Sequence, residues 1–438
     1  WWAISLSIVS AETSTLTIVG TPGLSFAGNF GFLQIVFGYL LARIVISVLF
    51  LPQYFRGQMF TAYELMQRRF GSRIRKVTAA TFLVTRALAE GVRVFAISIV
   101  ISIILGTGEV ASIILIVCLT LFYTFEGGMT AVIWTDVVQM TMYVLGAILS
   151  FGVILSKIPG GWPHVLDVAR SAGKLQVFNY SFDWHQPYTI WAGVLGGCFL
   201  TTASHGTDQL IVQRLLSAKT ENQSRAALFT SWGVIFFQFV LFLLVGVSLF
   251  VYYGDSHLAA PKPLDRLYPQ FIWENLPVGI AGLVTAAILA AAMANLSAAL
   301  NSLASTTVMD FYRPLAGSVD KKPDDSRLLW YARVATVVWG VVLVLIGVVA
   351  SHWGSVLESG LSIASVTLGM LLGVFLLGVL TKRVGEKAAI AGVLAGLAVI
   401  LYVKFQTRIA FTWWVMIGSM VTFSVGLLSS YFIKGDNA

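Results

Sequence analysis

Long apolar stretches alternate with short polar ones along the whole chain. A helix needs roughly 20 apolar residues to cross a bilayer, and the pattern predicts about twelve such helices. They fall near 1–25, 29–53, 78–105, 109–125, 129–156, 188–211, 225–253, 277–311, 328–350, 355–380, 387–404 and 411–433. Three of them depart from a plain lipid-facing composition. The first, WWAISLSIVSAETSTLTIVGTPG, carries Ser5, Ser7, Ser10, Glu12, Thr13, Ser14, Thr15 and Thr17 and ends in Gly20, Pro22 and Gly23. Hydroxyls at mid-membrane followed by helix breakers predict a discontinuous helix whose freed carbonyls face a cavity. Irregular backbone at that depth is tolerated only where protein or water satisfies it. The sixth ends in Gly206-Thr207-Asp208, which again reads as a broken helix. The eighth has Ala291, Ala294, Ser297, Ala298, Asn301 and Ser305 on one helical face. Such a face is either a tight seam between helices or the wall of an ion and substrate path.

Ionisable residues inside spans are costly and mark candidate sites. Glu12 lies in the first span. Arg86, Glu90 and Arg93 open the third at spacings of four and three, so they share a face and pair, with one positive charge in surplus. That surplus is either structural or a contact for an anion, because guanidinium offers a bidentate fork to carboxylates. Asp136 and Gln139 enter the fifth span after a turn at Gly127-Gly128, and Asp208 and Gln209 sit at the end of the sixth. Gln213 and Arg214 read as caps of that helix.

Composition fixes the class. With 57% hydrophobic and 11% charged residues, the chain is an all-α polytopic membrane protein rather than a soluble domain. A formal charge of +8 could suggest nucleic acid, but its placement says otherwise. The basic residues crowd into 68–76, 213–219, 320–327 and 381–387, on one side of the alternating topology, as the positive-inside rule expects of the cytoplasm. The expected location is the plasma (bacterial inner) membrane. Cys118 and Cys198 lie in predicted spans and imply no disulfide framework. Neither a metal-ligand cluster, a nucleophile–base pair nor a phosphate-binding glycine loop is visible, which argues against an enzyme.

Spans one to five start inside and six to ten start outside. The two broken spans, one and six, occupy corresponding positions, and that pairing points to a transporter's midplane site between inverted repeats. The expected division is 1–157 and 188–380 for the repeats, with two more helices in 386–438.

Three segments, YTFEGGMTAVIWTDVVQ, GTDQLIVQRLLSAK and AAILAAAMANLSAALNSLASTTVMDFY, resemble the sodium:solute symporter family of sodium–glucose, proline and sialic acid transporters. The resemblance implies a LeuT-like inverted-repeat fold and alternating access, with sodium as the coupling ion. It also implies one more span before Trp1. By position it places a main sodium site at the carbonyls of Ser10, Thr13 and Ala291, with hydroxyls expected at 294 and 295, where this chain has Ala294 and Asn295. A second sodium site would use Asp136, Ser297 and position 298, here Ala298. Ser14 and Thr17 match sugar-contacting positions of sialic acid transporters. Their carboxylate-binding arginine aligns with Ala89, one turn from both Arg86 and Arg93. Arg86, Arg93, Asp208 and Gln209 complete the candidate substrate contacts. The expected solute is a sugar, sialic acid or another organic acid, carried by a monomer in a lipid bilayer. A sodium-independent facilitator and a non-transporting solute sensor of the same fold are the alternatives.

Overall fold

A computed structural model describes residues 1–56, 62–124, 129–312 and 325–433. The expected turn at Gly127-Gly128 and most of the basic segment 320–327 lie outside the described residues. Among the described residues every regular element is helical. The main ones are α1 (Trp2–Glu12), α2 (Thr15–Ala27), α3 (Leu33–Val45), α4 (Ser72–Leu105), α5 (Glu109–Tyr123), α6 (Met129–Lys157) and α7 (Ile190–Gly206). The series continues with α8 (Gln209–Leu216), α9 (Glu221–Asp255), α10 (Val278–Thr306), α11 (Asp325–Ala350), α12 (Val356–Leu380), α13 (Glu386–Gln406) and α14 (Trp414–Phe432). Nine helices among the described residues are long and apolar enough to cross a membrane, and α1 with α2 form a tenth if counted as one bent span. The sequence pattern counts more because α5 falls short in length and α7 and α8 are separate pieces.

The first span breaks where its hydroxyls cluster, not at its glycines and proline. α1 ends at Glu12, Ser14 is extended (φ −85°, ψ 173°), and α2 leaves at 63° to α1. The Ser14 amide donates to the Glu12 carbonyl, so the Ser10 carbonyl loses the partner four residues on that a continuous helix would provide. Pro22 sits inside α2. Gly20 and Gly23 serve close packing: a Cβ on Gly20 would stand 2.8 Å from Leu357, and one on Gly23 2.9 Å from the Leu264 carbonyl. The second break, at Thr207-Asp208 between α7 and α8, falls where the sequence places it.

The two halves of the first broken span share one neighbour and differ in the other. α1 packs on α6 and α9, α2 packs on α9 and α12, and α7 lies along α3. These contacts are as close as backbone allows. A Cβ on Gly197 of α7 would meet the Ile35 carbonyl at 2.4 Å, and one on Gly246 of α9 would meet the Pro22 carbonyl at 2.1 Å. Arg69 donates to the Thr381 carbonyl, Glu386 accepts from the Arg73 and Ile74 amides, and Arg75 pairs with Asp310. Two of the basic segments thus meet at one end of the bundle. The segments after α6 and α9 meet at the other, where His164 contacts Asp255 and Lys174 donates to the Phe26 carbonyl.

Candidate substrate and ion site

Both breaks open onto one central cavity of about 200 Å³. Glu12, Ser14 and Thr17 line it from the first broken span; Ser204, His205, Asp208 and Arg214 line it from the second. Arg86 and Arg93 of α4, with Asn295 and Ala298 of α10, form further walls. Gly360, Leu361 and Ala364 of α12 supply apolar surface.

Three charge clusters surround this space. In the first, Glu12 Oε2 accepts from Arg43 Nη2 at 3.1 Å and lies 3.0 Å from His205 Nε2. Glu12 is the last residue of α1 and His205 the second last of α7, so this carboxylate joins the two spans at their breaks. Arg43, with no exposed surface, also donates to the carbonyls of Leu228 and Tyr39. In the second cluster Asp136 Oδ2 accepts from Ser7 Oγ at 2.7 Å and Arg214 Nη2 at 2.9 Å. The third is Arg86, Glu90 and Arg93: one oxygen of Glu90 receives Arg86 at 2.9 Å and also Arg93. Burying charges without pairing costs several kcal/mol, and each cluster answers that cost with a local partner.

The cavity brings together Ser14, Thr17, Arg86, Arg93, Asp208 and Asn295 of the predicted residues. Gln209 is the first residue of α8, and its side chain lies outside the described residues. Ser10 and Thr13 flank the break with side chains turned to other helices: Ser10 Oγ lies 3.2 Å from Tyr143, and Thr13 bonds Gln238. Ala291 is buried and Ser297 half-buried on α10. Asp136 is engaged by Arg214 in this conformation.

Three site residues escaped the sequence reading. Arg214 is no helix cap; it is buried and reaches Asp136, 78 positions away in sequence. Arg43 was detectable as an arginine inside an apolar span, but its partner Glu12 sits on another helix. His205 is one of five histidines in the chain, and only the break beside it could have singled it out.

A second cavity, of about 530 Å³, lies at the end of the bundle that carries the segments after α6 and α9, lined by Asn29, Tyr188, Asp265 and Glu358. Phe32 lines both cavities. Asp265 is buried, and its carboxylate accepts the Val356 amide at the start of α12. Burial, with a smaller contribution from the nearby Glu358 charge, pushes the Asp265 carboxyl up from 3.8 to about 6. The folded state therefore holds this proton more tightly than the unfolded chain. The resulting stability is complete below pH 3.8 and is lost as pH rises through about 6. Asp265→Asn should remove up to about 3 kcal/mol of acid stabilisation between pH 4 and 7.5. Melting curves of the two proteins across that range should diverge, and parallel curves would refute the assignment.

Paired broken helices around a cavity lined by charged and hydroxyl side chains, in an apolar helical bundle, are the arrangement of a secondary transporter's binding site. Comparison with known proteins agrees. The sequence profile of the sodium:solute symporter family matches residues 1–396, and the chain belongs to that family. It is 28% identical to the sodium/sialic acid symporter NanT of Aliivibrio fischeri over 99% of this chain and 86% of that protein. It is also 28% identical to sodium-coupled monocarboxylate transporter 2 of Bos taurus, over 95% of this chain and 66% of the relative, just under two thirds of its length. The solved structure of a Na⁺-coupled sialic acid symporter in its substrate-bound outward-open state superposes with a TM-score of 0.84 at 26% identity, covering 99% of this chain and 90% of that one. The LeuT-like fold expected from sequence is the fold found, and sodium is the coupling ion of this multi-pass symporter.

Proposed function

We propose that this symporter carries a small organic anion, with its carboxylate received at Arg86 and Arg93. The observation that carries the reading is the third cluster: two guanidiniums share a single carboxylate oxygen at the wall of the cavity. The other two clusters each join an arginine to a carboxylate, so the local surplus of positive charge sits on α4. Such a surplus is expensive in a membrane interior unless a ligand completes it. The named solutes of the relatives, sialic acid and monocarboxylates, are themselves carboxylates. Ser14, Thr17, Asp208 and Gln209, at the breaks, contact the rest of the solute.

The main sodium ion lies where the first break frees the Ser10 carbonyl, with Thr13, Ala291 and Asn295 as further ligands. A second sodium at Asp136 and Ser297 would have to displace the Arg214 guanidinium, which stands 2.9 Å from that carboxylate. The twelve spans form two inverted five-helix repeats, 1–157 and 188–380, plus two helices in 386–438, in a monomer. The basic segments face the cytoplasm of a plasma membrane, and transport proceeds by alternating access around the cavity.

Thermal unfolding of the detergent-solubilised protein tests this reading. A ligand specific to the folded state stabilises it by about 2.7 kcal/mol at a hundredfold excess over Kd. Sodium should raise the melting temperature saturably over potassium at matched ionic strength, and a carboxylate solute should raise it further only in sodium. Stabilisation by neutral sugars and by no carboxylate would refute the anion reading.

A further inference from the structure

We propose that Glu90 is a sodium ligand, and that a cation bound there releases Arg86 and Arg93 to the solute. The coupling half of this proposal rests on the anion reading above; the sodium site does not. Beside the central cavity lies a small one of about 10 Å³, room for about one water-sized particle. Its polar wall is Ser14 and Thr15 at the start of α2, Glu90 and Arg93 of α4, and Asn295 of α10, and Val94, Ile97, Ala292 and Leu296 close the rest.

Glu90 is 1% exposed, and its two oxygens are used unequally. One receives both arginines, while Oε2 is buried without a partner. An unpaired buried carboxylate oxygen is costly, so it calls for an occupant. Ser14, Thr15 and Asn295 face the same space and make no side-chain hydrogen bond among the described residues. A carboxylate oxygen, two hydroxyls and an amide carbonyl form the all-oxygen set that suits a hard cation. Only Asn295 belongs also to the sodium site drawn from the first break. Arg93 lines this space as well as the central cavity, and its Nε is buried without a partner, so a water joining it to Glu90 is the competing occupant.

The geometry supplies a coupling route. With no cation, Glu90 acts as a resident anion that occupies the arginines. A sodium ion on its free oxygen draws the carboxylate charge away and leaves guanidinium N–H groups for an incoming carboxylate. That anion in turn offsets the arginine charge beside the sodium. Each ligand then raises the other's affinity by the same factor, as linkage requires.

Binding of ²²Na⁺ to the purified full chain, measured by scintillation proximity, tests the site. Glu90→Gln should bind one fewer sodium ion per protein than wild type. Thr15→Val, which leaves the arginine pairs intact, should weaken that ion at least several-fold. Unchanged sodium number and affinity in both variants would overturn the proposal and leave a water only in the cavity. Should Glu90→Gln fail to fold, unchanged affinity in Thr15→Val alone overturns it. In Glu90→Gln, binding of a carboxylate probe such as N-acetylneuraminate or lactate should lose its sodium dependence, and retained dependence would overturn the coupling route. If no carboxylate binds either protein, the anion reading fails while the sodium counts still decide the role of Glu90.

Discussion

Arg43→Met is expected to destabilise the folded protein by about 3–5 kcal/mol, the cost of removing one partner from a buried ion pair. Arg43 is completely buried, and its guanidinium serves four groups at once: Glu12, Ser231 and the carbonyls of Tyr39 and Leu228. Methionine fills similar volume but donates nothing, so each of these groups loses the guanidinium, with Glu12 left to His205 and the Leu228 carbonyl left to Ser231. The damage is concentrated where it matters for transport, because Glu12 closes α1 and touches His205 near the end of α7. Arg43→Met with Glu12→Gln should recover part of the loss, since the unpaired charge is then gone. Chemical or thermal unfolding in detergent measures both variants. A single variant as stable as wild type would mean that water satisfies these groups and the pair is not structural.

The second large effect is on the solute. Arg86→Gln lowers the charge of the α4 cluster from a surplus of one to balance, while leaving Arg93 paired with Glu90. Truncating a buried, hydrogen-bonded charge that meets a ligand charge costs about 2–5 kcal/mol, so apparent affinity for a carboxylate should fall roughly 30-fold or more. Sodium binding should persist. A change confined to maximal rate, with apparent affinity unaltered, would place Arg86 outside the solute contact. Arg93→Gln is expected to act in the same direction, because both residues line the same cavity.

Local chemistry was readable from the sequence, and partnerships across helices were not. The hydroxyl run of the first span predicted a break because Ser and Thr offer the backbone alternative hydrogen bonds. The break falls within that run, at Thr13-Ser14, ahead of the glycines and proline that follow it. Pro22 stays helical, and Gly20 and Gly23 let α12 and the Leu264 turn approach α2. The Arg86–Glu90–Arg93 cluster was legible since its members share one helix face. Arg214 was not: its partner is fixed by the packing of α1 against α6 and α8, which no local window contains. The face of α10 offered a choice between seam and cavity wall. Both occur on that face, with Ala298 lining the central cavity and Ala291 buried.

Sodium-driven uptake into proteoliposomes tests the central claim most directly. Radiolabelled N-acetylneuraminate and a series of monocarboxylates would be offered beside neutral sugars, with an inward gradient of sodium or of potassium. The account predicts accumulation of at least one carboxylate above equilibrium in the sodium gradient alone, and none of any neutral sugar. Uptake that is equal in the two salts, or that favours an uncharged sugar over every carboxylate, would contradict it.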